Sequence, residues 1–202
     1  MTPVMAIGDW RDNGELIRDV ARLGHLDGHV VDLSFGQGVF WKTFKPESLT
    51  TNDIDPQCGA DHHMNARSTQ WDDGWFHAAV WDPPYRLRGT PTLGEMDKRY
   101  GTAQPATEWE ILTLLCDGTR EACRIASRRA LVKCQDQVVS GRVVWQTRLV
   151  VDAAESVGWK LIDWFLPMLG GRPQPSGRSQ VHARRNYSSL LVFAPKGRSK
   201  DA

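Results

Sequence analysis

Asp82-Pro83-Pro84-Tyr85 places a carboxylate, two prolyl carbonyls and an aromatic ring within four consecutive residues. The tetrapeptide follows the apolar run 76–81, which reads as a buried strand of a parallel sheet. Two successive prolines end that strand, because each fixes φ and lacks a backbone donor. At its carboxyl end the strand then offers an acceptor carboxylate, carbonyls expected to have no competing N–H partner, and a ring. Such a set suits an exocyclic amino group on a flat heterocycle: two acceptors meet its two hydrogens, and the ring stacks on the base that carries it. A plain strand exit into a loop is the bland alternative, since Pro-Pro turns are common punctuation.

A second apolar run, 29–34, leads into Phe35-Gly36-Gln37-Gly38. A strand ending in an acid (Asp32) and a Gly-x-Gly turn is how an open α/β sheet brings backbone close to a nucleotide-like ligand. The full dinucleotide fingerprint would need a third glycine where Trp41 stands, so that pattern is incomplete. The next strand reading, residues 48–56, carries Asp53 at 21 positions after Asp32, the distance at which this architecture places its ribose-binding acid. Asp53 is the first candidate, with Asp55 as the alternate, and Ile54 is left to pack on an adenine face.

Asp32-Leu33-Ser34-Phe35-Gly36-Gln37-Gly38, Asn52-Asp53-Ile54-Asp55-Pro56 and Asp82-Pro83-Pro84-Tyr85 together resemble the S-adenosylmethionine-dependent amino-methyltransferases. Those enzymes methylate adenine N6 or cytosine N4 in DNA. The resemblance covers roughly residues 29–195 and is strongest to small methylases of actinobacteria and their phages. Arg88-Gly89-Thr90-Pro91 and Asp97-Lys98-Arg99-Tyr100-Gly101 are similar to theirs as well. It implies S-adenosylmethionine as cofactor, with Asp32, Ser34, Phe35, Gly36, Gly38, Phe40, Asp53, Ile54, Asn65 and Asp82 around it. It also implies catalysis by Asp82, Pro83, Pro84 and Tyr85. Asn65 departs from the family, which usually has Asp there; the amide oxygen still accepts a hydrogen bond.

A net charge of +1 hides an asymmetry. Residues 1–75 hold six Lys/Arg against twelve Asp/Glu, and residues 76–202 hold nineteen against twelve. Residues 170–200 hold seven basic residues and no acid, the footprint expected of a phosphate-binding face. Arg86 and Arg88 beside the turn, and Arg172, Arg178, Arg184 and Arg185 near the carboxyl end, are the candidate nucleic-acid contacts. Any of them would serve equally as a solvated surface charge. The partner implied is DNA, with RNA as the alternative.

With 202 residues, 41% of them hydrophobic, the chain reads as one domain: an N-terminal helical element (1–28), a catalytic core (29–195) and a basic tail (196–202). No run of eighteen apolar residues suggests a membrane span, and the amino terminus does not read as a signal peptide, so a cytoplasmic location is expected. Four cysteines (Cys58, Cys116, Cys123 and Cys134) contain no Cys-x-x-Cys pair and read as reduced. A zinc site using His62 or His63 is the remote alternative, and no metal is expected.

Periodicity places helices at 13–23, from 39, at 109–126 and at 143–157, with Asp12 and Glu15 forming a capping box for the first. Strands are expected at 29–34, 48–56, 60–65, 76–81, 130–134, 160–166 and 188–193. The alternation predicts an α/β, Rossmann-like methyltransferase fold: a mostly parallel seven-stranded sheet with an antiparallel terminal hairpin at its edge. Adenine N6 in DNA is the favoured target. Cytosine N4, guanine N2 in ribosomal RNA, an inactive subunit needing a partner, and a nicotinamide-dependent oxidoreductase are the alternatives. The recognition sequence and the oligomeric state stay open.

Overall fold

Side-chain alternation along the strands sorts the core into two layers, one on each face of a single sheet. The computed structural model describes residues 3–87, 107–169 and 181–197. In chain order the elements are β1 (Ile7–Gly8), α1 (Asn13–Arg22), β2 (His29–Asp32), β3 (Ser48–Thr51), β4 (Phe76–Trp81), α2 (Glu108–Ile125), β5 (Ala126–Cys134), β6 (Gln137–Val139), β7 (Arg142–Val144), α3 (Gln146–Ser156), β8 (Trp159–Pro167) and β9 (Ser189–Pro195). The main sheet runs β1-β8-β9-β5-β4-β2-β3. β3, β2, β4 and β5 are mutually parallel, and β9 is antiparallel to both β5 and β8. This is the mostly parallel α/β sheet with a terminal hairpin that the periodicity predicts.

On one face, Val31, Ala79, Trp81, Val132 and Leu191 pack against Leu115, Ala122, Cys123, Val150 and Ala154 of α2 and α3. On the other, Val30, Ala78, Val80, Leu131 and Val192 pack against Leu16, Ile17 and Val20 of α1. Adjacent residues such as Val30 and Val31 therefore serve opposite layers, which is why the central strands are apolar throughout. α1 starts at Asp12, whose carboxylate accepts the Glu15 N–H, while Glu15 reaches back to the Arg11 N–H (3.0 Å). The expected capping box thus takes its return bond one residue early. α2 has a complete box, with Thr107 and Glu110 each accepting from the other's backbone.

Four expectations are corrected. The helix expected from residue 39 is only a 3₁₀ turn, Val39–Trp41, in which Phe40 and Trp41 bury their rings against α1's side of the sheet. Two large rings fill the space a helix would have covered. The expected third strand, 60–65, is reduced to one bridge between Asn52 and His62. Its place in the count is taken by β1, which pairs with β8, so the terminal hairpin is not the sheet's edge. Finally, residues 137–144 form a separate hairpin, β6–β7, turned by Ser140 and Gly141, both at positive φ. That pairing of left-handed residues is the favoured two-residue hairpin turn, and it delays α3 to Gln146.

Close approach of α2 to the sheet depends on Gly118. A Cβ there would lie 2.5 Å from the Trp81 indole, which is itself buried. Gly→Ala in an open helix interior stabilises by about 0.5–1 kcal/mol. We predict the opposite sign for Gly118→Ala, a loss of about 1–3 kcal/mol from overpacking, read from the midpoint of urea unfolding. A raised midpoint would show that Trp81 yields freely.

Candidate active site at the carboxyl ends of the strands

The carboxyl ends of β2, β3, β4 and β5 and the start of β9 converge. The Asp82 N–H donates to the Ser34 Oγ (2.8 Å), tying the turn after β4 to the turn after β2. Pro83 is buried and Pro84 exposed. The Pro83 carbonyl is not free of N–H partners, as the sequence suggests, because it accepts the Tyr85 N–H at 2.8 Å. A carbonyl oxygen takes two donors, so one lone pair is left for a ligand. Tyr85's own carbonyl accepts from the side-chain amides of Gln137 (2.8 Å) and Gln146 (2.7 Å). Gln137 returns its oxygen to the Leu87 N–H and Gln146 to the Gln135 N–H. Two glutamines thus clamp the turn at its far end, where prolines supply no donors.

Lys133, near the end of β5, completes the centre. Its ammonium lies 3.6 Å from the Asp82 Oδ2 and donates to the Asn13 Oδ1 of α1 at 2.8 Å. It also sits 5.5 Å from the centre of the Phe40 ring and 5.7 Å from that of Tyr85. Its side chain is 7% exposed, whereas that of Asp82 is 23% exposed. Burial works against the ammonium, but Asp82 and Tyr85 outweigh it, so Lys133 is held above its ordinary value and stays charged. Burial pushes the Asp82 carboxyl up while Lys133 pulls it down. Burial likewise pushes the Tyr85 phenol up.

Asp32 is buried at the end of β2 and accepts from the Ser34 N–H (2.9 Å) and the Trp41 indole N–H (2.7 Å). Trp41 stands where a dinucleotide fold has its third glycine, and here its indole supplies a hydrogen bond. Burial, opposed by those two donors and reinforced by Asp82 and Asp53, raises Asp32 to about 7. Gly36 and Gly38 both have positive φ (52° and 65°), and a Cβ on Gly38 would strike the Phe35 ring at 2.9 Å. The Asp53 carboxylate accepts the Gly36 N–H (2.8 Å) and the Asp55 N–H (3.0 Å). It braces the glycine turn while keeping lone pairs for a ligand. Ile54 is 71% exposed beside it.

Asn65 accepts from the backbone N–H of Arg67 (3.0 Å) and so caps its own turn. It joins the site through Met64, whose N–H and C=O both pair with the buried Asn52 side chain. Arg86 is exposed at the turn. Arg184 and Arg185 precede β9, whose first residue pairs with Cys134, so they lie at the same end of the sheet. The Arg185 guanidinium stacks 4.5 Å over Trp145. Arg88, Arg172 and Arg178 lie outside the described residues. Among the described residues no three His, Cys, Asp or Glu side chains group as metal ligands, and no helix is long and apolar enough to cross a membrane.

Residue reading missed Lys133, Asn52, Gln137 and Gln146. A lysine inside the apolar strand 130–134 was the one visible signal, since a buried ammonium demands a partner.

The sequence matches no family model, and no curated protein matches it significantly. Solved structures do share its fold. A proposed methyltransferase from Haloferax volcanii, in complex with the Trm112 methyltransferase activator, is 12% identical over 93% of this chain and 90% of that one, with a TM-score of 0.54. A proposed RNA methyltransferase from Pyrococcus horikoshii is 12% identical over 93% and 83%, with a TM-score of 0.53. Magnesium protoporphyrin IX methyltransferase from Synechocystis, with bound S-adenosylhomocysteine, is 9% identical over 91% and 81%, with a TM-score of 0.52. The chain has the Rossmann-like methyltransferase fold, one that carries different substrates.

Gln146 is fully buried. Gln146→Leu would orphan the Gln135 N–H and weaken the hold on Tyr85. We predict a loss of about 1–3 kcal/mol in urea unfolding with an unchanged slope. Wild-type stability would mean that water or Gln137 replaces both bonds.

Proposed function

We propose that the chain is an S-adenosylmethionine-dependent methyltransferase acting on an exocyclic amino group of a nucleic-acid base, namely adenine N6 in DNA. The observation that carries this reading is the Asp82 carboxylate. It stands beside a half-used Pro83 carbonyl and the Tyr85 ring, and Ser34 couples it to the glycine turn. The residues around that turn suit the cofactor. Gly36 and Gly38 hold left-handed backbone with no side chain of their own, Asp53 keeps acceptor capacity for ribose hydroxyls, and the exposed Ile54 offers an apolar surface for a purine.

When bound, S-adenosylmethionine would supply a methyl group on a positively charged sulfur; the nitrogen–carbon bond forms as the carbon–sulfur bond breaks, S-adenosylhomocysteine leaves, and the surplus proton on nitrogen passes to water. The protein's task is positional. An aromatic amine is a poor nucleophile because its lone pair is delocalised into the ring. Asp82 and the Pro83 carbonyl would each accept one amino hydrogen, favouring a pyramidal nitrogen whose lone pair leaves the ring plane. Tyr85 would stack on the base. A base in a duplex does not reach such a turn while paired, so it is flipped out or single-stranded. Arg86, Arg184 and Arg185, at the same end of the sheet, would meet phosphates.

An RNA substrate is the second reading, favoured by the fold shared with a proposed RNA methyltransferase. Methyl transfer from labelled cofactor to unmethylated duplex DNA and to bulk RNA, followed by nucleoside mass spectrometry, separates the two. N6-methyldeoxyadenosine is expected. Label confined to RNA would overturn the DNA assignment.

Two further outcomes follow from the geometry. Asp82→Ala should lower transfer by about 10²–10³-fold, the scale of losing one preorganised polar contact at the reacting group, with an unchanged circular dichroism spectrum. Transfer at the wild-type rate would remove Asp82 from the mechanism. Asp32 is the pH-sensitive member, and the cofactor's ammonium would favour its ionised form. With Asp32 at about 7 in the free protein, cofactor affinity should be about tenfold weaker at pH 6 than at pH 8. Calorimetric titration at the two pH values checks this, and Asp32→Asn should abolish the difference.

A further inference from the structure

We propose that Lys133 is a positioning residue for the reaction, holding the Asp82 carboxylate ionised and aimed while Asn13 of α1 holds Lys133. This rests on the methyltransferase reading of the turn. Four observations converge on one ammonium. It is almost fully buried in the apolar second half of β5, residues 130–134, it lies 3.6 Å from Asp82, it donates to Asn13 at 2.8 Å, and it is flanked by the rings of Phe40 and Tyr85. A lysine there for packing alone would carry a desolvation cost with nothing to offset it. A methionine would fill the same space without that cost.

The chemistry explains its presence. Asp82 serves an amino group only as an acceptor, and an ionised carboxylate accepts on both oxygens, whereas a protonated one turns one oxygen into a donor. Every other titratable group facing Asp82 works against ionisation or is neutral. Asp32, at the end of β2, carries like charge, Cys134 on β5 is a buried thiol, and the Tyr85 phenol is held protonated by burial. α1 contributes only the uncharged Asn13. Lys133 is the one cation within reach among the described residues. Its hold on Asn13 also ties α1 to the catalytic turn, so the N-terminal helix has a direct bond to the centre rather than only a packing role.

The sign of the effect is fixed. Without Lys133 the Asp82 carboxyl rises further, so the acid limb of the rate profile moves to higher pH. Lys133→Met and Lys133→Gln both remove the charge, and the glutamine keeps a donor for Asn13 in case the methionine variant folds poorly. Lys133→Arg retains the charge. We expect transfer at pH 7 to fall by about tenfold or more in the two neutral variants, in keeping with a lost charge-assisted contact, and to recover at pH 9. The arginine variant should keep the wild-type limb, and cofactor affinity at pH 8 should stay within about threefold of wild type in all three. In parallel, the Asp82 carboxyl carbon is followed by NMR through a pH titration in wild type and Lys133→Gln, with Asp82→Asn to assign it.

An upward shift in the titration with a matching shift in the acid limb supports the proposal. An unmoved titration overturns it, as does a rate loss that is uniform in pH, which would mark Lys133 as structural. Should wild type transfer no methyl group to any nucleic acid, the function above fails, and the NMR titration still decides whether Lys133 controls Asp82.

Discussion

A parallel sheet ends all its strands at one rim, and every backbone group released there needs a new partner. The chain leaves β2, β4 and β5 within a few residues of one another, and two of those exits are rich in glycine or proline. Prolines supply no donor and glycines supply no side chain, so polar side chains from neighbouring segments do the pairing. Ser34 takes the Asp82 N–H, Asp32 takes that of Ser34, and Asp53 takes that of Gly36. Asn52 pairs with both backbone groups of Met64, and Gln137 with Gln146 holds the Tyr85 carbonyl. The site is a by-product of this requirement. The same groups that complete the backbone also tie the turns to one another, which is what a positional mechanism needs.

The two layers beneath the rim are unequal. α2 and α3 cover one face, while α1 and the rings of Phe40 and Trp41 cover the other. Replacing a helix with two aromatic residues shortens the β2–β3 connection and brings the Trp41 indole under Asp32. An ordinary helix would have supplied backbone donors only at its first turn. The indole supplies a buried donor at a point, which favours the ionised form of Asp32 and partly offsets the rise that burial causes. The departure from the dinucleotide pattern at Trp41 is therefore a change in the electrostatics of the turn as much as in its shape.

Local chemistry was legible in the sequence, and tertiary chemistry was not. Asp82 to Tyr85, Gly36, Gly38 and Asp53 are recognisable because their backbone restrictions act within a few residues, and the structure gathers them at one rim. The strands of the central sheet are legible for the same reason: apolar continuity is a local signal of burial on both faces. Lys133 reads as an ordinary interruption of a strand, because its partners Asp82 and Asn13 are 51 and 120 residues away in the chain. Gln137 sits in a hairpin that periodicity does not mark, and Gln146 lies inside the expected helix 143–157, whose first two residues belong to that hairpin instead. Residues 60–65 carry too few β-branched side chains to form a ladder and keep only the bridge at His62. Residues 39–44 have a helical start, yet only Val39–Trp41 turn, and the rings of Phe40 and Trp41 cover the sheet there.

The charge asymmetry of the chain acquires a direction once the strand order is known. The acidic first half supplies β2 and β3 at one side of the rim, and the basic second half supplies the segment before β9 on the other, with Asp82 and Lys133 between them. The Asp82 charge disfavours ionisation of Asp32, and Lys133 draws the Asp82 carboxyl back down against its burial. A buried excess of negative charge is costly unless something positive arrives. In the proposed reaction the cofactor is that positive group and loses its sulfonium charge on transfer. The acids at β2 and β3 would then favour the charged cofactor over its neutral product, so product release is helped by the same carboxylates that bind the reactant. Across the rim, in the same proposal, Arg184 and Arg185 would meet the opposite problem, a polyanion whose own counterions they would displace. A net charge of only +1 is the sum of these two demands, and it conceals a field that runs from one side of Asp82 to the other.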